Sequence, residues 1–122
     1  RIYGYADGKS FRLTVDHTLV NEMIQKGEIT YEESLTHPKR HYLVRAVGVW
    51  DKVESDIHQV ADMDYYLVCS DGLSSYVGEE EITRIMINDH LDARSKCQAL
   101  CRAALLKGGY DNITIIVLDK NG

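Results

Sequence analysis

Apolar positions along the chain change their period several times, and each change predicts an element. Ile2 to Ala6 reads as extended, Asp7-Gly8 as a tight turn and Ser10 to Thr14 as a return strand, together a hairpin. Leu19, Val20, Met23 and Ile24 recur at helical spacing, with Asp16 as the expected cap and Gly27 as the expected stop. Thr30-Tyr31-Glu32-Glu33 has the spacing of a capping box, so a short helix begins there and ends before Pro38. His37 to His41 is polar and basic, and Tyr42 to Val49 returns to apolar character as loop and short strand. Extended signals follow at Val53 to Val60, partly alternating, and at Tyr65 to Cys69, a continuous apolar run suited to a strand buried on both faces.

Past Asp71-Gly72 the period becomes helical again. Ile82, Ile85 and Met86 form one stripe; Ala93, Cys97, Leu100, Cys101, Ala104 and Leu105 form a longer one, capped by Asp92 and stopped by Gly108-Gly109. The β-branched run Ile113 to Leu118 predicts a central strand. No repeat or Pro/Gly/Ser linker interrupts the chain. Helices and strands segregate more than they alternate, which predicts a layered α+β architecture and not a doubly wound one.

Composition narrows the setting. With 122 residues and 44% hydrophobic content, the chain has room for one core. Arg1 is followed at once by a strand-like run, which reads as a cut edge and leads us to expect part of a larger domain. No stretch of 18 apolar residues predicts a membrane span, and no leader pattern opens the chain. A net charge of −5, with Glu79-Glu80-Glu81 clustered, argues against nucleic acid as a partner. Three cysteines without C-x-x-C spacing fit a reducing compartment, so a cytoplasmic location is expected.

The chemistry concentrates at two acidic residues beside strands. Asp71 leaves a strand in LVCSDGL, and Asp111 enters one in GGYDNIT. A carboxylate at a strand end is rigidly held yet open to a cleft, where an oxygen-liking cation such as Mg2+ or Mn2+ can bind. Gly72 and Gly108-Gly109 leave the approach to each Asp clear. Either motif alone is more often a turn than a ligand.

Four stretches in order carry more: LTVDHT (Leu13 to Thr18), ITYEESLTHPKRHYLVRAVG (Ile29 to Gly48), LVCSDGL (Leu67 to Leu73) and GGYDNITIIV (Gly108 to Val117). In these the chain resembles the carboxy-terminal part of the metal-dependent protein serine/threonine phosphatases, the PPM or type 2C family, in a bacterial form. The resemblance implies part of a layered α-β-β-α fold with antiparallel sheets, the amino-terminal half being absent, and makes residues 1–122 the carboxy-terminal part of a single domain with a flap-like region at about 16–48. It implies Asp71 and Asp111 as ligands of a two-metal centre holding Mn2+ or Mg2+ that hydrolyses phosphoserine or phosphothreonine on proteins. The family's general acid, phosphate-binding arginine and other acidic ligands belong to the absent half, so the fragment is expected to be inactive alone. Expected partners are phosphoprotein substrates and either the missing amino-terminal half or a second copy of the chain. The competing reading is a phosphatase-like binding or regulatory module without catalysis.

Other polar residues have plainer readings. His17, His37, His41, His58 and His90 lack metal-ligand spacing and are read as surface or capping residues, His17 having the best alternative claim. Cys97 and Cys101 share an Ala/Leu stripe and Cys69 a strand, so all three are assigned to packing. Arg45 is read as structural, with contact to substrate or flap as the alternative. Asn112 either orients Asp111 or caps the turn, and Ser70 reaches the metal-bound water or satisfies backbone groups.

Overall fold

The computed structural model describes residues 1–57 and 59–120, so His58 lies outside the described residues. The chain forms two compact units: Arg1–Val15 together with Val60–Gly122, and Asp16–Gln59.

The first unit is built on an antiparallel sheet of order β2-β1-β3-β4, with β1 at Ile2–Ala6, β2 at Lys9–Arg12, β3 at Tyr65–Cys69 and β4 at Ile115–Asp119. Asp7 and Gly8 both take positive φ, 50° and 69°, giving the tight hairpin turn that an Asp-Gly pair favours. Register places Tyr3 opposite Leu67 and Leu67 opposite Val117, so these three share one face. That face packs on helices. Short α3 (Asp71–Ser74), α4 (Glu79–Met86) and α5 (Ala93–Leu106) contribute Leu73, Ile82, Met86, Leu100 and Ala104 to a core shared with Tyr3, Leu67 and Cys69. Each large apolar side chain buried there is worth about 1.5–3 kcal/mol.

The opposite face is thinly covered. Met63 and Leu13 close over Gly4, where a Cβ would stand 2.8 Å from Met63 Cγ. Tyr66 and Val68 are half-buried, while Ile116 and Leu118 remain 49% and 51% exposed. The expectation of a β3 buried on both faces is therefore met on one face only. Ile113 to Leu118 is likewise corrected: β4 starts at Ile115 and is an edge strand, whose alternating burial reflects helices on one side alone. Leu105, assigned to the α5 stripe, is exposed in the last turn.

The second unit carries α1 (Leu19–Gln25) and α2 (Tyr31–Thr36). Thr18, and not Asp16, caps α1, its Oγ1 accepting from Asn21 N at 3.3 Å. The chain stays extended up to Thr18 because Val44 N donates to His17 O at 3.0 Å and Leu19 N to Tyr42 O at 2.9 Å. The Thr30 capping box forms as expected, with Thr30 N donating to Glu33 Oε2 and Glu33 N to Thr30 Oγ1. Between Tyr42 and Val49 the only β pairing is the isolated bridge Thr18–Leu43, and the described residues of 53–60 form no strand. Alternation alone cannot hold a strand without a neighbour to complete its hydrogen bonds.

Lys96 was not singled out by its sequence, yet it is fully buried. Its ammonium donates to the carbonyls of Asn88 at 2.6 Å and Leu91 at 2.8 Å, just past the end of α4, and lies 4.2 Å from the centroid of the Tyr65 ring. Burial lowers its pKa, opposed by Asp89, Asp119 and Asp92. One cation thus joins α5, the turn after α4 and β3. Lys96→Ala should destabilise the chain by about 2–4 kcal/mol, combining a cavity with unpaired carbonyls, and Lys96→Met by less because it refills the space. Urea unfolding of the two variants checks the order.

Candidate metal centre

Antiparallel pairing puts the end of β3 beside the start of β4, with Cys69 opposite Ile115. The seam continues past the strands. Ser70 N donates to Thr114 O at 3.0 Å, Ser70 Oγ donates to Asn112 O at 3.0 Å, and Thr114 N donates to Ser70 Oγ at 3.0 Å. Ser70 precedes α3 without capping it, because its hydroxyl is committed across the seam. Of its two readings, satisfaction of backbone groups is the one observed.

Gly72 makes this closeness possible. A Cβ at that position would collide with the carbonyl oxygen of Asn112 and lie 2.8 Å from its carbon. Absence of a side chain therefore lets the β3–α3 corner rest on the segment leading into β4.

Asp71 and Asp111 project from these two joined segments, and both are exposed. Asp71 opens α3, where its own carbonyl accepts from Ser75 N at 2.9 Å. Asp111 Oδ1 accepts from Asn112 N at 2.7 Å, so Asn112 bears on the carboxylate through its main chain. Gly108 and Gly109 take positive φ, 120° and 57°, and end α5, with Gly109 N donating to Ala104 O at 3.2 Å. Tyr110 then turns outward, its ring centroid 5.8 Å from that of Tyr76.

Two exposed carboxylates supply hard oxygen donors, the chemistry that Mg2+ and Mn2+ prefer. Among the described residues no group of three or more His, Cys, Asp or Glu side chains is placed to hold a metal ion. The donor set fits part of a dication's shell of about six oxygens, and only part.

The remaining singled-out residues lie elsewhere. His37 Nδ1 accepts from Lys39 N at 3.1 Å, a turn contact of the kind expected, and His41 and His90 are exposed. Cys69 is buried; Cys97 and Cys101 are half-buried on α5, with Cys97 Sγ 3.6 Å from Ile115 O. Burial raises the pKa of Tyr3, whose hydroxyl is 3.3 Å from Arg1 NH1 and 3.4 Å from Glu79 Oε1. In the Asp16–Gln59 unit, His17 Nε2 stands 2.7 Å from Asp56 Oδ2, and Arg45 NH1 donates to Asp56 Oδ1 at 2.9 Å. Asp56 was not singled out from the sequence, since an acidic residue in an irregular stretch carries no periodic signal.

No protein-family model matches the chain. The serine/threonine phosphatase stp of Listeria innocua is 38% identical to it over 112 residues, 90% of this chain and 44% of that protein. Among solved structures, Stp1 of Staphylococcus aureus superposes with a TM-score of 0.86 at 32% identity, covering 100% of this chain and 48% of its own. The PPM Ser-Thr phosphatase MsPP of Mycobacterium smegmatis gives 0.82 at 32% identity, covering 97% and 51%. The catalytic domain of PstP in complex with two manganese ions gives 0.75 at 32% identity, covering 98% and 49%. In sequence and fold the chain is similar to the PPM, type 2C, phosphatase domain. It corresponds to the carboxy-terminal part of that domain and spans about half the length of the relatives it matches. Its mixed helices and antiparallel sheet agree with the fold of these PPM neighbours.

Gly72→Ala should cost about 1–3 kcal/mol, because the added methyl meets main chain that cannot rotate away. Amide exchange at Thr114, whose N–H is tied to Ser70, should accelerate more than exchange at the centre of β3.

Proposed function

We propose that Asp71 and Asp111 are two ligands of a divalent-metal centre, in a parent domain that hydrolyses phosphoserine and phosphothreonine on proteins. The observation that carries this reading is their placement on two segments joined across one seam, in a chain similar in sequence to PPM phosphatases. Ser70 and Gly72 position Asp71, while the Asn112 N–H orients Asp111. When bound, the metals would supply Lewis-acid activation and neutralise charge on the phosphoryl oxygens. This chain's own contribution is to hold two anionic donors at a rigid edge.

Two carboxylates leave most of a dication's shell to other groups, so the isolated chain binds metal weakly and does not turn over substrate. Residues at about 16–48, within the Asp16–Gln59 unit, form the flap-like part of the domain. The half-exposed Ile116 and Leu118 and the free edge of β4 suit association with the rest of the domain or with a second copy. The three free cysteines are consistent with a reducing, cytoplasmic setting. Among the described residues no helix is long and apolar enough to cross a membrane.

With Mn2+ and a small aryl phosphate, the 122-residue chain should show no turnover above background; a rate near that of an intact relative would refute the fragment reading. Calorimetric titration should find weak Mn2+ binding that disappears in Asp71→Asn and in Asp111→Asn with the circular dichroism spectrum unchanged. Binding that survives both changes would remove these residues from the centre. Sedimentation at rising concentration should show self-association, and persistence as a monomer throughout would count against the open sheet face as a partner surface.

A further inference from the structure

Within the Asp16–Gln59 unit, two nitrogen-bearing side chains converge on one carboxylate. Arg45 NH1 donates to Asp56 Oδ1 at 2.9 Å, and His17 Nε2 lies 2.7 Å from Asp56 Oδ2. A proton on Nε2 makes the second contact a donated hydrogen bond, and the 3.3 Å approach of Arg45 NH1 to the same nitrogen is then simple adjacency. The basic residues are held side by side by main chain: His17 O accepts from Val44 N, the neighbour of Arg45, at 3.0 Å, and Thr18 bridges to Leu43.

The acid is held differently. Asp56 belongs to an irregular stretch, and the described residues from Asp51 to Ile57 make no backbone–backbone hydrogen bond. Asp56 is tied to the unit through its side chain. The site is also open to solvent, with the side chains of His17, Arg45 and Asp56 exposed by 30%, 33% and 37%.

The carboxylate does not use all that the guanidinium offers. Arg45 NH2 faces Glu54 Oε2 at 4.0 Å, beyond hydrogen-bond reach, while NH1 serves Asp56. A carboxylate has two oxygens, and both are engaged. A phosphate monoester has three terminal oxygens and greater negative charge, so it can replace both Asp56 contacts and still reach NH2, completing the bidentate pairing that suits arginine.

We propose that Arg45 and His17 form a binding site for a phosphate dianion, which Asp56 occupies as a displaceable internal competitor. The site lies wholly within the Asp16–Gln59 unit and shares no residue with the Asp71 and Asp111 seam. The ligand is either inorganic phosphate or the phosphoryl group of a phosphoserine or phosphothreonine peptide, which share this chemistry. Asp56 and Glu54 both oppose entry by charge, so binding to the unaltered chain is weak and competes with the internal carboxylate. Reverting the occupancy requires only that the irregular stretch swing Asp56 back.

The test follows the His17 imidazole and Asp56 carboxyl resonances by nuclear magnetic resonance as sodium phosphate is added to the 122-residue chain at constant ionic strength. Both should move along one saturable curve, and sodium chloride should not reproduce it. Asp56→Ala should tighten phosphate binding on the order of tenfold by removing a competing charge-assisted contact, and adding Arg45→Gln should abolish the gain. A phosphoserine peptide that competes at lower concentration than inorganic phosphate identifies the peptide as the ligand; equal or weaker competition identifies the free anion. The proposal is overturned if phosphate leaves both wild-type resonances where chloride leaves them. It is equally overturned if Asp56→Ala, with the Leu19 and Val44 amides at their wild-type positions, binds phosphate no more tightly than the parent. Should Asp56→Ala not fold, the wild-type titration decides alone.

Discussion

The structure turns on the antiparallel pairing of β3 with β4. These strands are far apart in sequence, separated by three helices, and their register sets Cys69 opposite Ile115. From that pairing the rest of the seam follows: Ser70 answers both Asn112 and Thr114, Gly72 rests against the Asn112 carbonyl, and the residues bearing Asp71 and Asp111 meet at one edge. The helices serve the pairing, since α5 spans the return from α4 to β4 and buries Leu100 against the sheet's inner face. Lys96 fixes this helical layer by capping carbonyls beyond α4 while lying against Tyr65 of β3.

The two units are stabilised by different means. The sheet unit has an apolar core in which Leu67, Leu73, Met86 and Leu100 are fully buried. Among the described residues of the Asp16–Gln59 unit the buried ones are Val20 and Ser34, and specific polar contacts do more of the organising: the Thr30–Glu33 capping box, the Thr18 cap and the group around Asp56. Polar contacts at a solvated surface contribute modestly one by one and exchange partners readily. Such a unit is suited to adjustment, whereas the seam is suited to holding geometry.

Much of this was legible in the sequence where local chemistry decides. The Asp-Gly turn, the capping box, the Asp92 cap and the run Tyr65 to Cys69 each carry their own signal, and each forms. The misreadings arose where a distant partner decides. Asp16 has the right side chain for a cap, but pairing with Tyr42 and Val44 keeps the chain extended for two more residues. Val53 to Val60 has strand-like residues without a strand beside its described part, and β-branched β4 has strand propensity that says nothing of its place at an edge. At the candidate centre, Asp71 and Asp111 were readable as strand-end carboxylates, while the Ser70 cross-seam bonds and the closeness at Gly72 depend on contacts 40 or more residues apart. Lys96 escaped notice because charged residues are presumed solvated until packing shows otherwise, and Asp56 because an acidic residue in an irregular stretch carries no periodic signal.

The half-open sheet has a thermodynamic consequence. With Ile116 and Leu118 partly wet in the folded state, unfolding exposes less new apolar surface than in a sheet covered on both sides. Apolar exposure dominates the heat capacity of unfolding, so that quantity is reduced and the stability curve is flatter than for a fully layered domain of equal length. Cold and heat then erode the fold gradually, and a larger share of its cohesion rests with polar fasteners such as Lys96 and the Ser70 hydroxyl, whose strength varies less steeply with temperature.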